Sequence, residues 1–353
     1  MSWLVAGVVL LVVSAELLVR GAVRLALAAG LSPLVVGLTV VSWGTSSPEL
    51  AVSVGGALRG VCDIAVGNVV GSNIANVLLI LGVAALIMPL TVARQLVRIE
   101  LPVMIGISAA LMLLAYDGSI TRLEGSILLV ALAVATTIWV RSAQRNHDFA
   151  TEVAEESSEG SRVPLSGALV VLGLGGLWIS AELIVDSAVV LASLWGLSEL
   201  VIGLTIVAVG TSLPEIAVSL MAAYRGQADL AVGNVVGSNI FNILGILGLA
   251  SLVSDGGLPV APAALRFDLP VMLATALACL PVFISGGRIA RWEGAIFLAY
   301  YAAYVTYLLL QAAHHDALPA FSLAMMFFAI PLTVVTMIAV AAQSVVVRGK
   351  RSG

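Results

Sequence analysis

A segment of 46 residues occurs twice in this chain, and each copy places a glutamate inside an apolar stretch. Residues 37–82 align without a gap with residues 203–248, and 31 of the 46 positions are identical. Glu49 lies in GTSSPEL in the first copy, and Glu215 lies in GTSLPEI in the second. An ionised carboxylate in the middle of a membrane span costs about 2–3 kcal/mol or more. The presence of this cost in both copies indicates that the two acids have a function.

The apolar stretches are typical of a polytopic membrane protein. Of the 353 residues, 61% are hydrophobic and only 10% are charged, whereas soluble domains carry about 25% charged residues. A helix of about 20 apolar residues is long enough to cross a bilayer. We therefore predict an all-α membrane protein with about 11 spans, at residues 3–19, 34–56, 63–89, 99–116, 122–140, 165–193, 200–222, 229–253, 267–285, 291–313 and 319–347.

The similarity between the two halves extends beyond the 46-residue segment. Three further pairs of strings match: SAELLV with SAELIV, RIELPVM with RFDLPVM, and RLEG with RWEG. Spans 1–5 would therefore be repeated as spans 6–10, and because five is an odd number, the second copy would enter from the opposite side. Inverted repeats in secondary transporters place the substrate site near the membrane midplane, between the copies.

This duplication divides the chain into four parts. The first repeat of five helices covers residues 1–140, and the second, inverted repeat covers residues 164–314. Residues 141–163 between them are polar and acidic, which predicts a solvated, flexible cytoplasmic linker. Residues 315–353 add an eleventh span and a basic tail, with no counterpart in the repeat.

The positions of lysine and arginine predict the orientation in the membrane. With the N-terminus outside, 13 of the 16 basic residues fall on the inner side, and only Arg59, Arg122 and Arg266 fall outside. Cytoplasmic loops of membrane proteins are enriched in Lys and Arg. We therefore predict that the N-terminus lies outside and the C-terminus inside.

Each glutamate follows a string that predicts a break in its helix. Proline in a helix interior removes a backbone hydrogen bond and clashes with the preceding turn, and glycine adds backbone freedom. We predict that the second span is interrupted at 44–47 and restarts with hydroxyl caps and Pro48 in the first turn. Backbone carbonyls freed at membrane depth are tolerated where they line a site. The second copy repeats the pattern with Thr211, Ser212, Pro214 and Glu215.

A second string in each copy supplies neutral polar groups. GNVVGSNIAN at 67–76 and GNVVGSNIFN at 233–242 both contain GxxxG, which lets a neighbouring helix approach closely. Ser72 and Asn76 are four residues apart and share one helix face, as do Ser238 and Asn242. Alone, these residues would be polar contacts between helices. Beside two buried acids, they are predicted to be ligands.

The donor set is typical of a hard cation. The motifs contain no basic partner for the two carboxylates, so a cation or protons must neutralise them. Calcium takes about six to eight oxygen ligands, and the two carboxylates with the carbonyls of Thr45 and Thr211 would supply about six. The neutral oxygens that suit singly charged ions belong to Ser46, Ser212, Ser72, Ser238, Asn76 and Asn242. These faces carry no Cys or His, which disfavours transition metals.

These paired strings resemble the two α-repeats of the cation/calcium exchanger superfamily and are closest to its prokaryotic sodium/calcium exchanger branch. The resemblance covers spans 1–10. It implies a secondary active antiporter that moves calcium out as sodium enters, by alternating access. It also implies that calcium and sodium bind as substrates, that no cofactor is needed and that the protein is not an enzyme.

The resemblance also assigns roles to individual residues. Glu49 and Glu215 would be the central ligands of calcium and sodium, with Asn76 and Asn242 beside them. The other implied ligands are the carbonyls of Thr45, Thr211, Ser42 and Ala208, and the hydroxyls of Ser46, Ser72, Ser212 and Ser238. The first and sixth spans would slide across the core as a gate. Potassium-dependent members carry Asp at the position of Asn242, which argues against potassium dependence.

Other functions remain compatible with parts of this pattern. A proton-coupled calcium or divalent cation exchanger could use the same acids, and a cation channel could use them as a selectivity ring. An intramembrane protease would need a catalytic dyad that the motifs do not supply. Glu16, Glu182 and Asp186 lie within spans 1 and 6, where they would guide ions or join helices. We expect the lipid bilayer of the cell (inner) membrane as surroundings, and no nucleic acid or protein partner.

Overall fold

A computed structural model describes residues 2–28, 31–145, 163–194, 208–284 and 287–336. This part of the chain is built from helices, with four strands of two residues each. The acidic linker predicted at 141–163 and the basic tail lie mostly outside the described residues.

The twelve main helices overlap the predicted spans, although the first continues to Ala28, past its predicted end at residue 19. They are α1 Ser2–Ala28, α2 Pro33–Thr45, α3 Ser47–Leu58, α4 Cys62–Ile87, α5 Leu96–Asp117, α6 Arg122–Arg145, α7 Val163–Leu194, α8 Leu213–Tyr224, α9 Ala228–Val253, α10 Ala264–Ile284, α11 Arg291–Ala312 and α12 Leu318–Thr336. Within the described ranges, nine helices are long and apolar enough to cross a membrane. The protein is thus an all-helical membrane protein.

The second and seventh predicted spans are not single long helices. The second span is formed by α2 and α3. Of the seventh, the structure describes the short segment Ala208–Gly210 and α8, and residues 200–207 lie outside the described part. The count of eleven therefore differs from the nine long helices because these two spans are divided.

The predicted break in the second span is confirmed, but it is narrower than expected. α2 ends at Thr45 and α3 begins at Ser47, with Ser46 between them at φ −80° and ψ 10°. Pro48 lies in the first turn of α3, as predicted. The prediction of hydroxyl caps is wrong, because neither Ser46 nor Ser212 bonds its own helix terminus. Both hydroxyls have carboxylate partners instead.

The motif helices lie at the centre of the bundle. In their most apolar 18-residue stretches, 72% of α4 and 89% of α9 are buried, compared with 0% of α12. Each of the two central helices contains a π-helical turn, Asn76–Leu81 in α4 and Asn242–Leu247 in α9. Such turns in α-helices are frequent at functional sites. Asn76 and Asn242 therefore begin a local widening of the two most buried helices.

Two short antiparallel ribbons join the first half of the chain to the second. Strand β1 (Leu90–Thr91) pairs with β4 (Arg288–Ile289), and β2 (Ser119–Ile120) pairs with β3 (Leu258–Pro259). Each ribbon takes one strand from residues 1–140 and one from residues 164–314. The ribbons thus tie the loops of the two halves together.

Candidate cation site

The two glutamates are buried, and each contacts the helix break of the other half. Glu49 in α3 and Glu215 in α8 are both 1% exposed. Ser212 Oγ donates to Glu49 Oε1 at 3.1 Å, and Ser46 Oγ donates to Glu215 Oε1 at 2.7 Å. The carboxylates therefore lie in one shared region, which the predicted pairing of the motifs requires.

Among the described residues, five buried oxygens in this region have no hydrogen-bond partner. They are Glu49 Oε2, Glu215 Oε2, Asn76 Oδ1, Asn242 Oδ1 and Ser238 Oγ. A buried polar atom without a partner costs about 1–3 kcal/mol. Four of the five atoms only accept, and a cation satisfies acceptors without needing any donor. The donor set therefore fits a cation as the bound substrate.

Acidic side chains alone cannot complete the coordination of such a cation. Among the described residues, no group of three or more His, Cys, Asp and Glu side chains is placed to hold a metal. Hydroxyl, amide and backbone oxygens must supply the remaining ligands, which is the chemistry that calcium and sodium accept. This agrees with the all-oxygen site predicted from the motifs.

Two asparagines outside the predicted ligand set fix the orientation of the site amides. Asn76 Nδ2 donates to Asn239 Oδ1 at 2.9 Å, and Asn242 Nδ2 donates to Asn73 Oδ1 at 3.0 Å. Asn73 and Asn239 are themselves held, because each donates to the backbone carbonyl of the other, at 3.2 and 3.4 Å. With both amide nitrogens engaged, the oxygens of Asn76 and Asn242 are left as acceptors.

A second asparagine pair holds the threonines at the helix breaks. Thr45 Oγ1 donates to Asn234 Oδ1 at 3.3 Å, and Thr211 Oγ1 donates to Asn68 Oδ1 at 3.4 Å. Asn68 Nδ2 also donates to the backbone carbonyl of Glu49 at 3.2 Å. Asn68 therefore connects the break of one half to the acid of the other. Asparagine occurs at this position in both copies of the motif, and this repetition could have indicated its role from the sequence.

The remaining predicted ligands lie close to this region. The buried members of the set are Ser42, Thr45, Ser46, Ser72, Ser212 and Ser238. Ser42 Oγ donates to the carbonyl of Thr39, and Ser72 Oγ donates to the carbonyl of Asn68. Both hydroxyls therefore keep lone pairs for a cation. Ala208 begins the short helical segment before Thr211, and only its backbone is described.

The close helix approach predicted for GxxxG is confirmed in the second copy. A Cβ added at Gly237 would lie 2.8 Å from Ser42 Oγ, and one at Gly233 would lie 2.8 Å from the carbonyl oxygen of Leu34. These glycines let α9 pack directly against α2, which carries predicted ligands. A Cβ at Gly67 or Gly71 would meet no atom of the described residues within 4 Å, and the stretch that would correspond to α2 in the second half lies largely outside those residues.

An open cavity approaches the site from the end where Pro48 and Thr211 lie. It has a volume of about 440 Å³ and is lined by residues that include Pro48, Val52, Arg59, Glu182, Asp186 and Thr211. Val52 is 41% exposed, whereas Val218, its counterpart in the second copy, is 0% exposed. Two of the acids predicted to guide ions, Glu182 and Asp186, therefore line the approach. The third, Glu16, joins α1 to the end of α8 instead, through an ion pair with Arg225, and it also pairs with Arg20 within α1.

Known proteins match the chain along most of its length. The sodium/calcium exchanger protein family matches residues 1–140 and 165–310. CaxA of Alkalimonas amylolytica, described as a candidate antiporter, is 41% identical over 304 residues, covering 84% of this chain and 95% of the relative. The inner membrane protein YrbG of Escherichia coli is 40% identical over 280 residues, covering 78% of this chain and 85% of the relative. A structure of the sodium-calcium exchanger NCX_Mj gives a TM-score of 0.75 at 31% identity, covering 86% of this chain and 97% of that chain.

These matches confirm the family resemblance of the doubled motifs. The family match ends at residue 310, within α11, and α12 lies beyond it. The matches agree with the buried acids and the unpaired oxygens, which fit a cation as substrate. The chain is therefore a multi-pass membrane transporter, not an enzyme, and it belongs to the sodium/calcium exchanger family.

Proposed function

We propose that this protein exchanges sodium for calcium across the cell (inner) membrane by alternating access. The observation that carries the proposal is the set of five unpaired buried oxygens around Glu49 and Glu215. With both acids ionised the site carries a charge of −2, and one calcium ion or two sodium ions neutralise it equally. The two kinds of substrate would therefore compete for the same carboxylates.

The proposed ligands are those named from the motifs. Glu49 and Glu215 bind calcium or sodium at the centre, with the amide oxygens of Asn76 and Asn242. The surrounding ligands are the carbonyls of Thr45, Thr211, Ser42 and Ala208, and the hydroxyls of Ser46, Ser72, Ser212 and Ser238. Asn73, Asn239, Asn68 and Asn234 hold these groups in position.

The proposed architecture is an inverted repeat, with repeats at 1–140 and 164–314, a cytoplasmic linker at 141–163, and an additional helix and tail at 315–353. This architecture is supported by hydrogen bonds that occur in equivalent pairs. The bond from Asn76 to Asn239 and the bond from Asn242 to Asn73 join equivalent positions of the two repeats, which are 166 residues apart. The N-terminus lies outside, which places Arg59 and the mouth of the cavity on the outer surface.

Proton coupling is the alternative that the same observation favours. Protons on Glu49 and Glu215 would also satisfy the unpaired carboxylate oxygens. A channel is less consistent with the described residues, because the cavity reaches Thr211 whereas Val218, on the opposite approach, is buried. The coupling ion must therefore be identified by a flux measurement.

The test is calcium uptake into proteoliposomes that contain the purified protein. A sodium gradient directed outward should drive uptake, and a proton gradient of equal size should not. Collapse of the sodium gradient should abolish net uptake, which separates an antiporter from a channel. Uptake that follows the proton gradient and ignores sodium would replace the proposal with its alternative.

A further inference from the structure

The two ends of the transport path differ in one ion pair. At the closed end, Arg225 Nε donates to Glu16 Oε2 at 3.0 Å, and Arg225 Nη2 donates to the other carboxylate oxygen. Arg20, one turn further along α1, also pairs with Glu16. Arg225 directly follows α8, the half-helix that carries Glu215. This ion pair therefore ties α1 to the half-helix that holds a central acid.

The repeat gives each partner a counterpart at the open end. Adding 166 to Glu16 gives Glu182, and subtracting 166 from Arg225 gives Arg59. Arg59 directly follows α3, the half-helix that carries Glu49. Both counterparts line the open cavity, and neither has an ion-pair partner among the described residues.

The open end has one more acidic side chain than the closed end. The counterpart of Arg20 is Asp186, which lines the same cavity. Arg59 therefore lines the same cavity as two carboxylates, Glu182 and Asp186, and neither acid has an ion-pair partner among the described residues. All three side chains are exposed, so closing the cavity would bring opposite charges together and displace water between them.

We propose that these residues form a charge latch with two positions. Arg225 holds Glu16 while the outer cavity is open, and Arg59 takes Glu182 and Asp186 when the outer cavity closes and the inner end opens. This inference rests on the alternating access proposed above. Forming the outer ion pairs offsets the loss of the inner ones, so the free-energy difference between the two states is smaller than the contribution of either set of pairs alone.

Two engineered cysteines report the two states. Val52→Cys places a thiol in the open cavity, and Val218→Cys places one at the buried counterpart. Both are made in a background with Cys62→Ala and Cys279→Ala, since the two native cysteines are free and buried. An impermeant thiol reagent is added to either side of sealed vesicles without sodium or calcium. The parent should react quickly at Val52→Cys from outside and slowly at Val218→Cys from inside.

Removing the closed-end ion pair should shift the equilibrium from the outward-open state toward the inward-open state. Arg225→Gln and Glu16→Gln should each lower the ratio of outward-open to inward-open protein about twofold to fivefold, as expected for an exposed pair. Labelling at Val52→Cys should fall and labelling at Val218→Cys should rise. Arg225→Lys keeps the charge and should restore much of the parent pattern. Arg59→Gln should shift both rates in the opposite direction.

The control is an arginine of similar exposure away from the cavity. Arg122 pairs with Asp255 at 3.7 Å and bonds the carbonyl of Ser254, so Arg122→Gln should leave both labelling rates unchanged. Parent-like labelling in Arg225→Gln and Glu16→Gln, in protein that remains monodisperse, would overturn the latch. Equal slowing at Val52→Cys in Arg59→Gln and Arg225→Gln would do the same. Because neither sodium nor calcium is added and the pH is held constant, these rates test the latch even if the transported ions differ from those proposed.

Discussion

Ser46 Oγ donates to Glu215 Oε1 at 2.7 Å, although the two residues are 169 positions apart in the chain. The hydroxyl that would have capped its own helix is used by the acid of the other half. Ser212 and Glu49 repeat the arrangement at 3.1 Å. The acid of each half is therefore bonded by the helix break of the other half.

The orientation of the site amides depends on Asn239. Asn239→Ala removes the acceptor of Asn76 Nδ2, leaving a buried donor unpaired and the amide free to rotate. The expected cost is about 1–2 kcal/mol, which is roughly a tenfold loss of calcium affinity. Calorimetric titration of the purified variant with calcium measures it. In an Asn76→Asp background, which has no amide to orient, Asn239→Ala should cost much less. An equal loss in both backgrounds would show that Asn239 has a structural role only.

A charge added at Asn242 should change the dependence on pH. Asn242→Asp would place a third carboxylate beside Glu49 and Glu215. Like charges this close favour protonation of one group, and the protonated fraction grows as pH falls. Calcium flux of the variant in proteoliposomes should therefore decline more steeply than that of the parent between about pH 8 and pH 6, or respond to potassium. A folded variant whose profile overlays the parent in every condition would remove Asn242 from the ion site.

Much of this site could be predicted because the duplication repeats the chemistry. Two acids in equivalent positions, each after a proline, indicate a shared site before any packing is known. The error concerned the serine hydroxyls at the breaks. Local rules assign them to helix termini, but Ser46 and Ser212 have carboxyl acceptors across the interface, and a hydrogen bond to an ionised carboxylate is stronger than one to a neutral acceptor.

The roles of Asn73 and Asn239 could not be derived from sequence for a different reason. Their side chains contact residues about 166 positions away, so their partners are set by the packing of α4 against α9. The end of α1 was also misplaced, because hydropathy stops near residue 19 while the helix continues to Ala28. Arg20 forms an ion pair with Glu16, one turn earlier in α1. This pair stabilises the helix where the apolar stretch ends and charged residues begin.

The orientation of the protein is tested by a cysteine in the linker. Ser157→Cys lies in the acidic segment at 141–163, which the distribution of basic residues places in the cytoplasm. An impermeant thiol reagent should label it in inverted vesicles and leave it unlabelled in intact cells. Labelling from outside intact cells would reverse the proposed topology.

The last helix should affect stability more than selectivity. In α12, 0% of the most apolar stretch is buried, and the helix contacts the bundle through features such as the bond from Tyr300 to the carbonyl of Ala329. Ending the chain near Asp316 should lower expression or the unfolding temperature, because lipid-facing surface of α11 loses its cover. The preference for calcium over other divalent cations should stay the same. A stable truncated protein with altered selectivity would show that α12 contributes to the ion path.

The most direct test of the central claim is sodium-driven calcium uptake by Glu49→Gln and Glu215→Gln in proteoliposomes. Each substitution keeps the size of the side chain and removes one of the two charges of the site. Losing a charged ligand should cost about 3 kcal/mol or more, so calcium affinity should fall at least about 100-fold. Matched Glu124→Gln changes a half-buried acid that accepts a hydrogen bond from the Thr121 hydroxyl, and its uptake should equal that of the parent. The account predicts no sodium-driven uptake in either site variant, and uptake at the parent rate in both would contradict it.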